Sequence, residues 1–369
     1  MTADRLTSVL LAGGGSAGHV SPLLALADCL TARHDGLQIV ALGTAQGLEA
    51  RLVPARGYRL ETVPKVPFPR RPSGDLLRLP GNLNAAVKAA GRAIDAAGAQ
   101  VVVGFGGYVS TPAYLAARKR RIPIVVHEQN ARPGMANKLG ARFSRHVGVT
   151  FGSTPLAGGQ LVGMPLRREI THLDRAAHRA EAMAHFGLDP QWPTLLVTGG
   201  SLGAQRLNTA FEASVSGLSA AGIQVLHITG EGKDFTPADT GVGAPYKVVS
   251  YADRMDLAYS AADVVVARSG ANTVCELTAV GLPAVYVPLP IGNGEQRLNA
   301  TDVVAAGGGI VVDDADVSAE WVASTLIPLL SDRERLHAMA AAAASIGVRD
   351  GDERLADLVE SAFATGGRA

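Results

Sequence analysis

The sequence predicts an α/β protein built from two doubly wound parallel sheets. Three observations carry this: apolar strand-like runs alternate with helical stretches, the alternation starts twice, and 369 residues suit two domains better than one. Apolar residues make up 47% and charged residues 18%, with 43 glycines, as expected of buried parallel strands and unlike a disordered chain.

The first strand, Ser8 to Ala12, runs into the turn GGGSAGHVSP and then the helical stretch LLALADCLTAR before the strand LQIVALG. The pattern restarts at TLLVTGG, Thr194 to Gly200, followed by SLGAQRLNTAFEASV and the strand IQVLHITG. Each half has a later strand ending in a glycine turn that opens a helix: QVVVGFGGYVSTP, Gln100 to Pro112, and DVVVARSGANTVCE, Asp263 to Glu276. The linker is expected near Leu161 to Arg167, dividing domain 1–163 from domain 164–349. A last helix, about 350–366, is expected to pack back on the first domain. The cleft between the halves is the default ligand site. Residues 64–84, with prolines, arginines and leucines, read as a surface loop.

No apolar run reaches the roughly 18 to 20 residues of a spanning helix. Cys29 and Cys275 lie far apart and no signal peptide precedes the first strand, so a cytosolic protein is expected. Charge is uneven: residues 1–163 carry 19 Lys and Arg against 8 Asp and Glu. A positive half suits phospholipid headgroups, nucleic acid or a pyrophosphate, or is solvated surface without a partner.

Gly13, Gly15 and Gly18 fit G-x-G-x-x-G after a strand, which presents backbone N–H groups to an anion, most plausibly a pyrophosphate. The second strand ends Leu42-Gly43-Thr44, without the acid that a dinucleotide dehydrogenase uses on its ribose. His19 follows the turn at a helix start, where the dipole disfavours the imidazolium, as suits a neutral base; a structural histidine fits equally well. Ala271, Asn272 and Thr273 begin another helix, and Glu276, one turn on, suits either a vicinal diol or the helix dipole. The loop IGNGEQRLNA places Glu295, Gln296 and Asn299 at a strand end. HEQNARPGMANK gathers His127, Glu128, Gln129, Asn130 and Asn137, either as a site or as an internal network.

In this order LAGGGSAGHVSP, GFGGYVSTP, HEQNARPGMANK, GGSLGAQRLN, RSGANTVCE and EQRLNA resemble the MurG family, over nearly the whole chain. The resemblance implies a GT-B fold, two Rossmann-like domains facing across a cleft. It implies inverting transfer of N-acetylglucosamine from UDP-GlcNAc to the C4 hydroxyl of the muramyl residue of lipid I, making lipid II. His19 would be the general base. Ser16, Ala17, Gly18, Asn130, Arg167, Ser201, Ala252, Ala271, Asn272, Thr273, Glu276 and Gln296 would bind the donor. Gly15, Gly107, Tyr108, His127, Glu128 and Asn137 would form the acceptor side.

The implied partners are UDP-GlcNAc, lipid I and the anionic cytoplasmic membrane surface, where the protein would be peripheral, with other cell-wall synthesis and division proteins as further candidates and no nucleic acid. No cofactor and no metal are expected. Leu76, Leu77, Leu79 and Leu83 among Arg70, Arg71, Arg78 and Lys88, with Arg118 to Arg121, would form the docking patch, unless the leucines are helix core. The chain departs from the family pattern at Ser16 for Thr, Met164 for Asn and Glu295 for Gln or His. Open alternatives are a GT-B enzyme with another acceptor, a UDP-GlcNAc epimerase and a nucleotide-binding module without catalysis.

Overall fold

The computed structural model describes residues 5–66, 75–200 and 203–366. They form two compact units: the described residues of 1–167 with those of 350–369, and residues 168–349.

The first unit is a seven-stranded sheet of β1 (Ser8–Ala12), β2 (Gln38–Gly43), β3 (Arg59–Thr62), β4 (Val101–Gly104), β5 (Ile124–Glu128), β6 (His146–Val149) and β7 (Gly159–Leu161). Their order is β3-β2-β1-β4-β5-β6-β7. Every pair is parallel, with Leu10 opposite both Val40 and Val102. The strands are apolar on both faces because helices cover both. Period-2 alternation sends Val9 and Leu11 to a core shared with Leu23, Leu26 and Leu30 of the helix Ala17–Arg33. Leu10 and Ala12 point to the other core, with Ile94 and Tyr114.

The second unit repeats the plan with β8 (Thr194–Thr198), β9 (Gln224–Ile228), β10 (Tyr246–Val249), β11 (Val264–Ala267), β12 (Ala284–Tyr286) and β13 (Gly309–Val311), ordered β10-β9-β8-β11-β12-β13 and again all parallel. In each unit the first strand is central, and the chain winds outward on one side before returning to the other. The direction reverses at β1/β4 and at β8/β11, where the loops after the two strands part and leave a crevice at their carboxyl ends.

The change of unit falls after Arg167, beyond the expected division after Gly163. The amides of Val162 and Gly163 both donate to the Val149 carbonyl, and Met164 and Leu166 are buried, so this segment stays with the first sheet. The helix Gly351–Gly366 belongs to the first unit, placing Leu355, Ala356, Leu358, Val359 and Ala362 in its core. Gly351 lies against the Met164 backbone, where a Cβ would collide. Arg33 pairs with Asp357 at 2.6 Å and Glu360 at 3.3 Å along the helix's outer edge.

Part of the expected loop at 64–84 is helical. Asp75–Ala97 is one helix despite Pro80. Its buried stripe of Ala86, Ala90, Ala93, Ile94 and Ala97 lies downstream of Pro80, and packing of that stripe supports the turns before it. Leu79 and Leu83 are half-buried in this helix; Arg70 and Arg71 and the side chains of Leu76, Leu77 and Arg78 lie outside the described residues.

Leu355→Ala is expected to lower the stability of the first unit by about 2–5 kcal/mol, because it empties a fully buried site. Arg33→Ala, which breaks partly exposed ion pairs, should cost less than about 1 kcal/mol. Urea unfolding of the two variants checks the order.

Candidate active site

The turn after β1 is shaped around a carboxylate. Glu49 is fully buried, and its Oε2 accepts from the Gly15 amide at 2.9 Å while Oε1 accepts from the amide and hydroxyl of Thr44, each at 2.8 Å. A Cβ on Gly14, Gly43 or Gly47 would collide with the Glu49 side chain, so these glycines make its room. Burial pushes its carboxyl up, but the Gly15 and Thr44 donors outweigh that and hold it below the usual range. The Gly15 N–H, expected to face a pyrophosphate, is therefore satisfied from inside the protein. Gly15 itself has φ of 91°, open to glycine without strain.

His19 sits in the first turn of the helix Ala17–Arg33, whose N-cap is Ser16. Its Nδ1 is 3.1 Å from Gln129 Oε1. Burial lowers the pKa of His19 below 6.5, against the opposing pull of Gln129, Glu128, the Phe105 carbonyl and Glu49. The ring is therefore mostly neutral at pH 7. The turn after β4 meets it from the other side of the crevice, and Ser110 there donates to the carbonyls of Ala12, at 3.0 Å, and Gly106, at 2.7 Å, linking the β1 and β4 ends. Gly107, with φ of 73°, lies beside the His19 ring: a Cβ there would be 3.6 Å from Nε2.

The residues expected on the acceptor side separate into two groups. Tyr108 is 42% exposed. His127, Glu128 and Asn137 are buried, with their polar atoms engaged internally. His127 Nε2 lies 2.9 Å from the Gly163 carbonyl and Nδ1 lies 3.0 Å from Gln129 Nε2. Glu128 accepts from the amides of Asn130 at 3.0 Å and Gly134 at 2.9 Å, and from Asn137 Nδ2 at 2.9 Å. Asn137 also donates to the His127 carbonyl and accepts from the Tyr114 hydroxyl at 2.8 Å. These side chains fix the loop's shape from beneath; Asn130 is half-buried, and Arg132, Gly134 and Met135 are exposed.

In the second unit the crevice lies between the turns after β8 and β11. Gly199 and Gly203 pack against the backbones of Ala204 and Thr229, too closely for a side chain, and Ser201 lies outside the described residues. The helix Ala271–Ala279 starts behind Gly270 with no acidic residue in its first turn, which leaves its positive end uncompensated there. Asn272 and Thr273 are half-buried beside Ala271. Glu276 is also half-buried, and its Oε2 accepts from the Tyr259 hydroxyl at 2.7 Å. Arg268 donates to the Val287 and Pro288 carbonyls and pairs with Asp314 at 2.6 Å, so its charge is used within the unit. Gln296 Oε1 accepts from the Leu289 amide at 2.9 Å. Ala252 is buried in the loop before the helix Met255–Ala261, and Arg167, half-buried, ends the first unit's main segment.

Similarity to known proteins agrees with this layout. The profile of the Glycosyltransferase family 28 N-terminal domain matches residues 9–149, and that of its C-terminal domain matches residues 194–355. A protein of a Nocardioides species, named UDP-N-acetylglucosamine–N-acetylmuramyl-(pentapeptide) pyrophosphoryl-undecaprenol N-acetylglucosamine transferase, is 59% identical over 353 residues, 95% of this chain and 97% of that protein. Its namesake from Paenarthrobacter aurescens is 56% identical over 97% of this chain and 96% of its own length. The crystal structure of Acinetobacter baumannii MurG superposes with a TM-score of 0.79 at 28% identity, covering 96% of this chain and 99% of that one. The chain belongs to the MurG family.

One residue in each crevice of this MurG-family chain was not singled out from sequence: Glu49 under the glycine turn of the first, and Tyr259 on Glu276 in the second. The glycines at 14, 43 and 47 were the available signal for Glu49, since each leaves space that only a neighbouring side chain fills. Among the described residues no group of three or more His, Cys, Asp or Glu side chains is placed to hold a metal ion, and no helix is long and apolar enough to cross a membrane.

Burial lowers the pKa of His127 and of His227, in the core of the second unit, to about 4. Their unfolded-state values lie near 6.5, so the unfolded chain takes up protons first as pH falls. Stability is fully present above pH 6.5 and is lost between about 6.5 and 4, by on the order of 3 kcal/mol for each histidine. Urea unfolding at neutral pH and at about pH 4.5 should show this loss, and His227→Gln should flatten the pH dependence of the second unit.

Proposed function

We propose that this chain transfers N-acetylglucosamine from UDP-N-acetylglucosamine to the C4 hydroxyl of the muramyl residue of lipid I, forming lipid II with inversion at the anomeric carbon. The observation that carries the reading is the identity of 59% with a transferase of that name over nearly the full length of both chains.

The proposed roles follow the two crevices. The second unit holds the nucleotide: backbone around Ala252 reads uracil, and Glu276, steadied by Tyr259, takes the ribose diol. The start of the helix Ala271–Ala279, at Ala271, Asn272 and Thr273, meets the diphosphate together with Ser201, and Arg167 and Gln296 complete the donor site. In the first unit Ser16, Ala17, Gly18 and Asn130 meet the sugar. Gly15, Gly107 and Tyr108 form the acceptor side, on a surface that His127, Glu128 and Asn137 support from below.

His19 is the proposed general base. The C4 oxygen attacks the anomeric carbon and its proton passes to a ring nitrogen of His19. The bond from that carbon to the UDP oxygen breaks, and UDP leaves with the electron pair. Glu128, Glu49 and the Phe105 carbonyl favour the imidazolium as it forms. Helix N-termini and Arg167 stabilise the charge on the departing diphosphate. The reaction as proposed uses no metal ion and no cofactor beyond the donor.

The protein is proposed to act as a peripheral protein at the cytoplasmic face of the membrane. Basic residues support this: Lys88, Arg92 and Lys119, exposed, and Arg120, paired with Asp95, line a cavity of about 500 Å³ between the helices Asp75–Ala97 and Gly107–Lys119, and each exposed cation near an anionic surface contributes about 1 kcal/mol. Other cell-wall synthesis and division proteins are proposed as partners there.

The test is transfer of labelled N-acetylglucosamine from its UDP donor to a lipid I analogue. His19→Ala should lower kcat about 10²- to 10⁴-fold, and Glu276→Ala should mainly raise the donor KM. Because burial sets the His19 pKa below 6.5, the acid limb of kcat should have its midpoint below pH 6.5. A protein that binds UDP-N-acetylglucosamine but glycosylates no lipid I analogue in any detergent would refute the acceptor.

A further inference from the structure

His19 is hydrogen-bonded to the buried HEQN loop through Gln129. We propose that Gln129 is a positioning residue at the centre of a hydrogen-bond chain of fixed direction, Gly163 carbonyl to His127 to Gln129 to His19, that keeps the His19 proton on Nδ1 and the lone pair on Nε2. The inference rests on His19 as general base and specifies which of its nitrogens does the work.

Two acceptor-only groups set the direction. The Gly163 carbonyl lies 2.9 Å from His127 Nε2 and can only accept, so that nitrogen carries the hydrogen. The lone pair of neutral His127 is then on Nδ1, 3.0 Å from Gln129 Nε2, which donates to it. The amide is oriented independently by the same Nε2, which is 3.0 Å from the His127 carbonyl oxygen. A flipped amide would set two oxygens against each other there. Gln129 Oε1 is left facing His19 Nδ1 at 3.1 Å, and an amide oxygen can only accept. The Phe105 carbonyl also acts on the His19 ring, but the acceptor at hydrogen-bond distance from a ring nitrogen is Gln129 Oε1, and it puts the proton on His19 Nδ1.

Burial keeps the chain from reversing. His127 is fully buried and Gln129 nearly so, which shuts out water that could serve either nitrogen. A protonated His127 would aim a donor at the Gln129 donor, and burial opposes that by lowering the His127 pKa to about 4. At the other end, His19 Nε2 faces the flank of Gly107, where even a Cβ would come within 3.6 Å. The glycine keeps that approach open to a hydroxyl. The wrong tautomer at a catalytic histidine costs up to about 10⁴-fold in rate.

Nitrogen-15 NMR of histidine-labelled protein at neutral pH reads the tautomers directly, with the His19 signals assigned by their loss in His19→Ala. The expected result is opposite tautomers, the proton on Nδ1 of His19 and on Nε2 of His127; His19 found mainly with its proton on Nε2 overturns the proposal. Gln129→Met, similar in length but without the amide, should mix the His19 tautomers and lower kcat on the order of 10- to 100-fold at unchanged donor KM. Its acid limb should move to lower pH, since Gln129 raises the His19 pKa, and Gln129→Glu should move the limb to higher pH. A loss of kcat in Gln129→Met with an unchanged tautomer and unchanged limb would mean a purely structural role and would also overturn it. If His19→Ala keeps full kcat, the general-base reading fails, and the spectrum of the unaltered protein decides the hydrogen-bond chain on its own.

Discussion

Parallel strands buried on both faces can meet water and ligands only at their ends, and this constraint organises both units. All the pairs in the two sheets are parallel, and the reversal of winding at β1/β4 and β8/β11 opens one crevice in each. The glycine turns, the two helix starts and the polar loops all sit at those carboxyl ends. Shifting the register of β1 by one residue would exchange Leu10 and Leu11 between cores and displace the turn that carries His19.

The two crevices share an architecture and differ in electrostatics. In the first, the Glu49 carboxyl accepts from the Gly15 amide and Thr44, and that of Glu128 accepts from the amides of Asn130 and Gly134. Buried carboxylates that are fully hydrogen-bonded hold loop shape, and here they also favour the cation on His19 between them. In the second, the helix Ala271–Ala279 starts without an acidic partner in its first turn. The helix Ala17–Arg33 also starts without one, so it is the buried carboxylates that set the first crevice apart, and the proposed base lies there.

Much of this was legible in the sequence. The repeated alternation of strands and helices predicts the two sheets, and GGGSAGH, HEQN and RSGANTVCE fall at strand ends where they were expected. The helix Asp75–Ala97 was not legible, because Pro80 stands near its start while the stripe that holds it lies further on. Nor could spacing tell the roles of polar groups within one loop. His127, Glu128 and Asn137 read equally as a site or a network, and only their burial and partners show that they support the surface from beneath. Glu49 was missed for a different reason: its bond to Gly15 joins residues 34 apart, and the glycines that make its room mark space without saying which side chain fills it.

The central claim is the proposed division of labour between the crevices, nucleotide on the second and base on the first. Hydrogen exchange of the whole protein with and without UDP tests it most directly. The account predicts slowed exchange at the amides of residues 268–276 and unchanged exchange at Gly13 to Gly15, where Glu49 already occupies the anion's place. Protection of Gly13 to Gly15 with no change at 268–276 would contradict it.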